Sequence, residues 1–254
     1  MTTHRKWLLL ALALGALLAF CAVPVKTQAE AFQMALDRAG VAYQIPPEGK
    51  GILVNIPAFE LIAFDQGAPI LRSRIIVGAP WHRTPRLTTY VSAVRFRPTW
   101  RPTASMIASG EYADRVWPAG PGNPLGLAAV RLQPGLLVYL HDTNHREKFD
   151  ETYRALSHGC VRVQQWDRLV AFVLGMDLAQ VHRLANGQRT FDAPTPPIPV
   201  TLGYFTRFPD ASGRIIEHPD IYNLGPTADI TQPGDAACKV AAMTGQGQGH
   251  GSHD

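Results

Sequence analysis

The sequence predicts a mainly β fold with a few helices, gathered into a single domain over residues 50–225. Three observations carry that expectation. The 254 residues include 21 prolines and only 17% charged side chains, a composition that suits a loop-rich β architecture better than a helical bundle. Short β-branched and aromatic runs separated by turn residues fill the stretch from Ile52 to Val77. Helical spacing is confined to a few short segments. The chain is long enough for one large domain with a sizeable core.

The amino terminus has a basic start, His4-Arg5-Lys6, then an apolar run from Trp7 to Val25, then a small-x-small site at Ala29-Glu30-Ala31. This reads as an export signal over residues 1–31, cleaved or retained as an inner-membrane anchor, and it places the protein in the periplasm or cell envelope. Attachment of lipid at Cys21 fits poorly, because bulky Phe20 precedes it. Residues 32–49 follow as a short helix and linker, with Phe32, Leu36 and Ala39 on one face and Gly40 to end it.

Residues 52–56 and 59–64 are strand-like runs parted by Pro57, and Asp65-Gln66-Gly67 supplies a turn before Ile70 to Val77. Together they predict a meander, with Glu60, Arg72 and Arg74 as solvent-facing charges. From Pro80 to Pro134 the chain reads as loops rich in Pro, Gly, Arg and Trp, interrupted by short apolar pieces such as Tyr90 to Phe96. Trp100, Tyr112 and Trp117 are placed to line a cleft or to anchor those loops on the core. Leu136 to Leu140 reads as a buried strand, and 144–155 as a solvated polar connection. Trp166, Leu169, Val170 and Val173 recur at helical spacing before Gly175, predicting a core helix behind the Cys160 strand. A second helix spans Asp177 to Asn186, with Asp177 as N-cap. Pro194 to Pro199 should break regular structure before a last strand, Val200 to Phe205. From Pro226 to residue 254 the composition is that of a disordered tail.

Charge excludes one class of partner. The net +4 falls to +2 once Arg5, Lys6, Lys26 and Glu30 are set aside, too little to argue for nucleic acid.

Chemistry concentrates at His141-Asp142-Thr143 and Ser157-His158-Gly159-Cys160-Val161-Arg162. A thiol is mostly protonated at neutral pH, so a nucleophilic cysteine needs an imidazole or a positive field beside it. His141, ending a strand, is aimed rigidly enough to be that base. Gly159 permits close backbone approach, with amides near Cys160 turned toward an oxyanion. His158 would share the face of Cys160 on an extended strand, as an oxyanion or substrate contact. Arg162, one alternation beyond, could depress the thiol pKa, hold a substrate carboxylate or pair with a core carboxylate. Tyr139 would point into the same cleft to bind substrate, and Ser157 and Thr143 would support by hydrogen bonds. Asp142 could orient the imidazole through its carboxylate or its carbonyl. Two blander readings stand beside this one. A Cys160–Cys238 disulfide leaves the histidines unexplained, and zinc on His141, His145, His158 and Cys160 requires a helix where the pattern shows a strand end.

These motifs resemble the active-site signature of the L,D-transpeptidases, cysteine enzymes that crosslink peptidoglycan. The likeness extends through Ile52 to Leu61, Val77 to Pro85 and Gly120 to Gly126 to the family's larger periplasmic branch. It implies a mixed β-sheet sandwich over 50–225 with Cys160 and His141 as the catalytic pair. It also implies acyl transfer from peptidoglycan stem peptides to a second stem or an envelope protein, without metal or organic cofactor. A hydrolase using the same site is the alternative, and papain-like peptidases place their cysteine before the histidine. The branch carries a segment that folds over the cleft. Only Trp100 to Pro118 remains for it here, so a shortened cover and a more open thioester are expected.

Overall fold

β-Branched and aromatic residues bury both faces of the first hairpin, and that two-sided burial sets the architecture. In β1 (Lys50–Asn55), Ile52 and Val54 face one core while Leu53 faces another, and in β2 (Glu60–Asp65) Leu61 and Ala63 are divided from Ile62 and Phe64 in the same way. The computed structural model describes residues 25–225. Most of the expected signal or anchor, with Cys21, and the tail, with Cys238, His250 and His253, lie outside the described residues.

The expected helix is present as α1 (Val25–Ala39), beginning upstream of the boundary placed at residue 31. It lays Phe32, Leu36 and Ala39 on the smaller core, against Leu53, Ile62, Phe64, Phe205 and Phe208. The meander continues into the long β3 (Ala68–Gly78). Glu60 and Arg72 pair at 3.2 Å and are largely covered, where solvated charges were expected.

The stretch read as loops contains β4 (Leu87–Phe96), a short helix α2 (Ala104–Ala108) and β5 (Ala128–Leu132). β5 is only five residues, two of them alanine, and its strand character comes from pairing with β4 rather than from propensity. Then come β6 (Tyr139–His141), a 3₁₀ turn (Arg146–Asp150), β7 (Ala155–Ser157) and β8 (Val161–Val163). Helix α3 (Trp166–Leu174) ends at left-handed Gly175, and α4 (Leu178–Ala185) opens with a capping box between Asp177 and Gln180. α3 packs on β5, where the cysteine strand was expected, and also on β9 (Phe191–Gly203).

β9 corrects another expectation, since it runs straight through Pro194, Pro196, Pro197 and Pro199. It pairs with β4 on either side of a register shift, through Pro194 and again from Ile198, and with β1 only from Val200 onward. Pro196 and Pro197 fall in the irregularity and Pro194 and Pro199 on a stretch with one free edge, so a missing N–H costs little.

The sheet is mixed, in the order β2-β1-β9-β4-β5-β6-β8-β3-β7, and β2 also pairs with β3. The β2 end of the sheet thus folds back onto β3, which serves two neighbourhoods: Glu60 to Asp65 at its start, β8 and β7 at its end. The small hairpin of β10 (Arg207–Pro209) and β11 (Ile215–Glu217) packs its Phe208 beside α1.

Candidate active site

Parallel pairing of β6 with β8 brings the two signature segments together, setting Leu140 opposite Val161 and His141 opposite Arg162. His141, Ser157, His158, Cys160 and Arg162 line one cavity of about 40 Å³. Cys160 is a free thiol, 6% exposed, whose Sγ lies 3.6 Å from the Leu137 carbonyl.

His141 is buried at the end of its strand, and its Nδ1 lies 2.5 Å from the Asp142 carbonyl. A carbonyl only accepts, so Nδ1 carries the proton and Nε2 is left as the basic nitrogen. Burial first, and Arg162 second, lower the imidazole pKa to about 3 against the opposing Asp142 and Leu125 carbonyls. The ring is therefore neutral at physiological pH.

The orienting group left open between two atoms of Asp142 is the backbone carbonyl. The carboxylate has other work, accepting from Leu127 N at 2.9 Å and from Arg146 Nη1 at 2.8 Å. Burial pushes this carboxyl up, against the Leu127 and Thr143 amides and Arg146. Gly126 sits over it at φ +64, where an added Cβ would fall 2.3 Å from Oδ2. Arg146 also donates to the Gln164 carbonyl at 2.6 Å, so one guanidinium ties the segment after His141 to the segment after β8. The polar stretch 144–155 is thus partly structural, with Phe149 fully buried inside it.

Cys160 does not lie on a continuous strand with His158. Residues 158–160 form a bend between β7 and β8, with Gly159 at φ +104, a conformation open to glycine and strained for other residues. The Gly159 amide, expected at the oxyanion, instead donates to Ser157 Oγ at 3.1 Å, and that hydroxyl donates to the Cys160 carbonyl at 2.6 Å. The Gly159 carbonyl accepts from Thr84 Oγ1 at 2.9 Å. Thr84 Oγ1 in turn accepts from Gly78 N at 2.8 Å, and Tyr222 Oη donates to Gly78 O at 2.6 Å while accepting from Thr84 N at 3.1 Å. Thr84 and Tyr222 frame the Cys160 bend although neither stood out by residue type.

Arg162 faces Cys160 and His141, and among the described residues it forms no ion pair with a carboxylate. Tyr139 is buried in the sheet and does not line the cavity, which corrects its expected substrate contact. His158 is paired at 2.8 Å with Glu111, a residue sequence reasoning passed over. Residues 141–145 are not helical, so the spacing required for zinc on His141 and His145 is absent.

Short as it is, the 100–118 segment covers the thiol. Trp100, Met106 and Tyr112 line the cavity, and Trp117 packs its ring against Trp100 and Tyr112 from outside it. Asn123 holds the segment's two ends together, donating to the carbonyls of Pro98, Trp117 and Pro118. Beneath these side chains Cys160 is buried. A cavity of about 40 Å³ admits a few waters but no peptide.

The model of the L,D-transpeptidase catalytic domain (YkuD) matches residues 49–200, more than half of the chain and all of the signature. The chain belongs to this family. An L,D-transpeptidase so named only provisionally, from Haemophilus influenzae, is 29% identical over 221 residues, covering 70% of this chain and 45% of that one. Escherichia coli YbiS, a probable L,D-transpeptidase by name, is 34% identical over 145 residues, 52% of this chain and 46% of its own. The chain thus spans less than half the length of these curated relatives. Among solved structures, an L,D-transpeptidase from Mycobacterium smegmatis overlays on 60% of this chain and 58% of its own, at TM-score 0.40 and 16% identity.

Proposed function

We propose that the protein is an exported peptidoglycan L,D-transpeptidase that makes 3→3 crosslinks by cysteine acyl transfer. The observation that carries this reading is a buried free thiol sharing a small cavity with a neutral imidazole fixed by a backbone carbonyl. The basic, apolar amino terminus supports export to the periplasm.

In this reading Cys160 attacks the carbonyl of the diamino acid at the third position of a tetrapeptide stem. His141 Nε2 takes the thiol proton as the C–S bond forms, then delivers it to the amine of the departing terminal D-alanine. Arg162 stabilises negative charge on sulfur or on the substrate carboxylate. An amine of a second stem, or a lysine of an envelope protein, then attacks the thioester. Hydrolysis would require only that water replace that amine. The cover over Cys160 favours amines, because a closed site protects a thioester from water.

The test incubates purified protein with a tetrapeptide disaccharide, alone and then with an added diamine, and follows products by mass. Crosslinked dimer and diamine adduct are expected, whereas free tripeptide as the sole product would convert the assignment to a carboxypeptidase. Cys160→Ser should lose both the thioester and labelling by a carbapenem. Retention of acylation in that variant would move the nucleophile elsewhere.

A further inference from the structure

On the far side of His158 from the thiol lies a second cavity, of about 450 Å³, lined by Trp81, His82, Glu111, Tyr153 and His158 among others. It shares Ser157 and His158 with the smaller cavity at Cys160 and is roomy enough for part of a substrate without rearrangement. Two of the most exposed aromatic side chains in the described residues stand on its walls, Trp81 at 78% and Tyr153 at 45%. Across its floor run a carboxylate and two imidazoles: Glu111 Oε2 lies 2.8 Å from His158 Nε2, and the His158 and His82 rings lie 4.6 Å apart between centroids.

Resting on the acyl-transfer reading above, we infer that this cavity takes the acceptor as an ammonium ion, and that the Glu111–His158 pair removes its first proton. The need follows from counting protons. An alkyl ammonium cannot attack until it becomes an amine, and the amine sheds a second proton after attack. His141 can handle only one of these, and its burial with Arg162 beside it makes it a poor partner for a cation. In the outer cavity burial, His82 and Arg162 also hold His158 below the ordinary imidazole range, but Glu111 beside it opposes that shift. Glu111 is half-exposed and supplies negative charge, and the exposed rings of Trp81 and Tyr153 can attract a cation.

The ammonium gives one proton to His158, whose Nδ1 is the position left once Nε2 is engaged by Glu111. The free amine attacks the thioester carbonyl, forming the C–N bond, and the C–S bond breaks as the thiolate leaves. The second N–H proton passes through His141 to sulfur, restoring the thiol, and the proton on His158 leaves to solvent past Glu111. One amide, one thiol and one released proton result.

The experiment forms the acyl-enzyme first and measures its partition between aminolysis and hydrolysis by mass, for wild type and Glu111→Gln. Two acceptors are compared at pH 7: a diamine, which is cationic, and methoxyamine, which is largely uncharged. The expected result is at least a tenfold fall in the aminolysis-to-hydrolysis ratio for the diamine in Glu111→Gln, with a much smaller change for methoxyamine. Trp81→Ala should raise the diamine concentration needed for half-maximal aminolysis. Equal losses with both amines, or faster hydrolysis alone, would show that Glu111 merely latches the covering segment and would overturn the inference. An unchanged partition would overturn it as well. If wild type forms no acyl-enzyme at all, the acyl-transfer reading itself fails, which is a distinguishable outcome.

Discussion

Thr84→Val is the sharpest test of how the Cys160 bend is held. The substitution keeps the shape of a side chain that is 2% exposed, so it opens no cavity. It removes one hydroxyl that accepts from the Gly78 amide at 2.8 Å and donates to the Gly159 carbonyl at 2.9 Å. Each buried backbone group left without a partner costs about 1–3 kcal/mol, so a loss of about 2–6 kcal/mol is expected. Chemical denaturation should read this as a lower midpoint with an unchanged slope. Because the freed carbonyl belongs to the bend that aims Cys160, carbapenem acylation should slow about 10-fold to 100-fold in protein that remains folded. Thr84→Ser restores both bonds and should recover most of each loss. Tyr222→Phe strikes the same network, so the double variant should lose less than the sum of the two, with a coupling of about 0.5–3 kcal/mol. A Thr84→Val loss below about 1 kcal/mol, or strict additivity with Tyr222→Phe, would refute the network as the frame of the site.

His141→Ala should slow acylation by about 10²-fold or more, the scale of a lost general base, and a larger loss from His158→Ala would reverse the assignment. Asp142→Asn should destabilise the fold by loosening Arg146 and Leu127, yet cost acylation less than tenfold, because the carbonyl and not the carboxylate holds the ring. Comparing denaturation and acylation of that variant checks both halves. The depressed pKa of His141 means that the folded state resists protonation, so its contribution to stability is present above pH 6.5 and is lost as pH falls toward about 3. His141→Gln should flatten the acid limb of a stability-against-pH curve in that window by up to about one proton, and an unchanged slope would show that the ring is more accessible than its burial implies.

Where strand character was written in local composition, the sequence disclosed it: Ile52 to Phe64, Ile70 to Val77 and the end of β6 at His141 were all legible. So were both carboxy-terminal helices, because Gly175 and Asp177 are punctuation with a local physical cause. β5 was hidden, since Ala128-Ala129 has no strand preference until β4 pairs with it. β9 was hidden by prolines whose cost depends on which edge they face. At the candidate site, Cys160, His141, Ser157, His158 and Arg162 line one cavity and were legible together because they stand in two short adjacent segments. Tyr139 was misplaced because strand alternation gives the face but not what covers it. Glu111 was passed over, and Thr84 and Tyr222 lay in stretches that carried the resemblance without any contact at Cys160 being read from them, because these are ordinary residue types that acquire their roles only from partners far along the chain.

That distance has a consequence for the order of assembly. The hydroxyl of Tyr222 reaches the amide of Thr84 across 138 residues of intervening chain. During synthesis the segment bearing Cys160 therefore emerges well before the residue that completes its frame. A chain that ends anywhere between the two has the thiol but lacks the hydroxyl that bridges Gly78 and Thr84, so the bend that carries Cys160 is only half tied down until the last turn of the domain is in place.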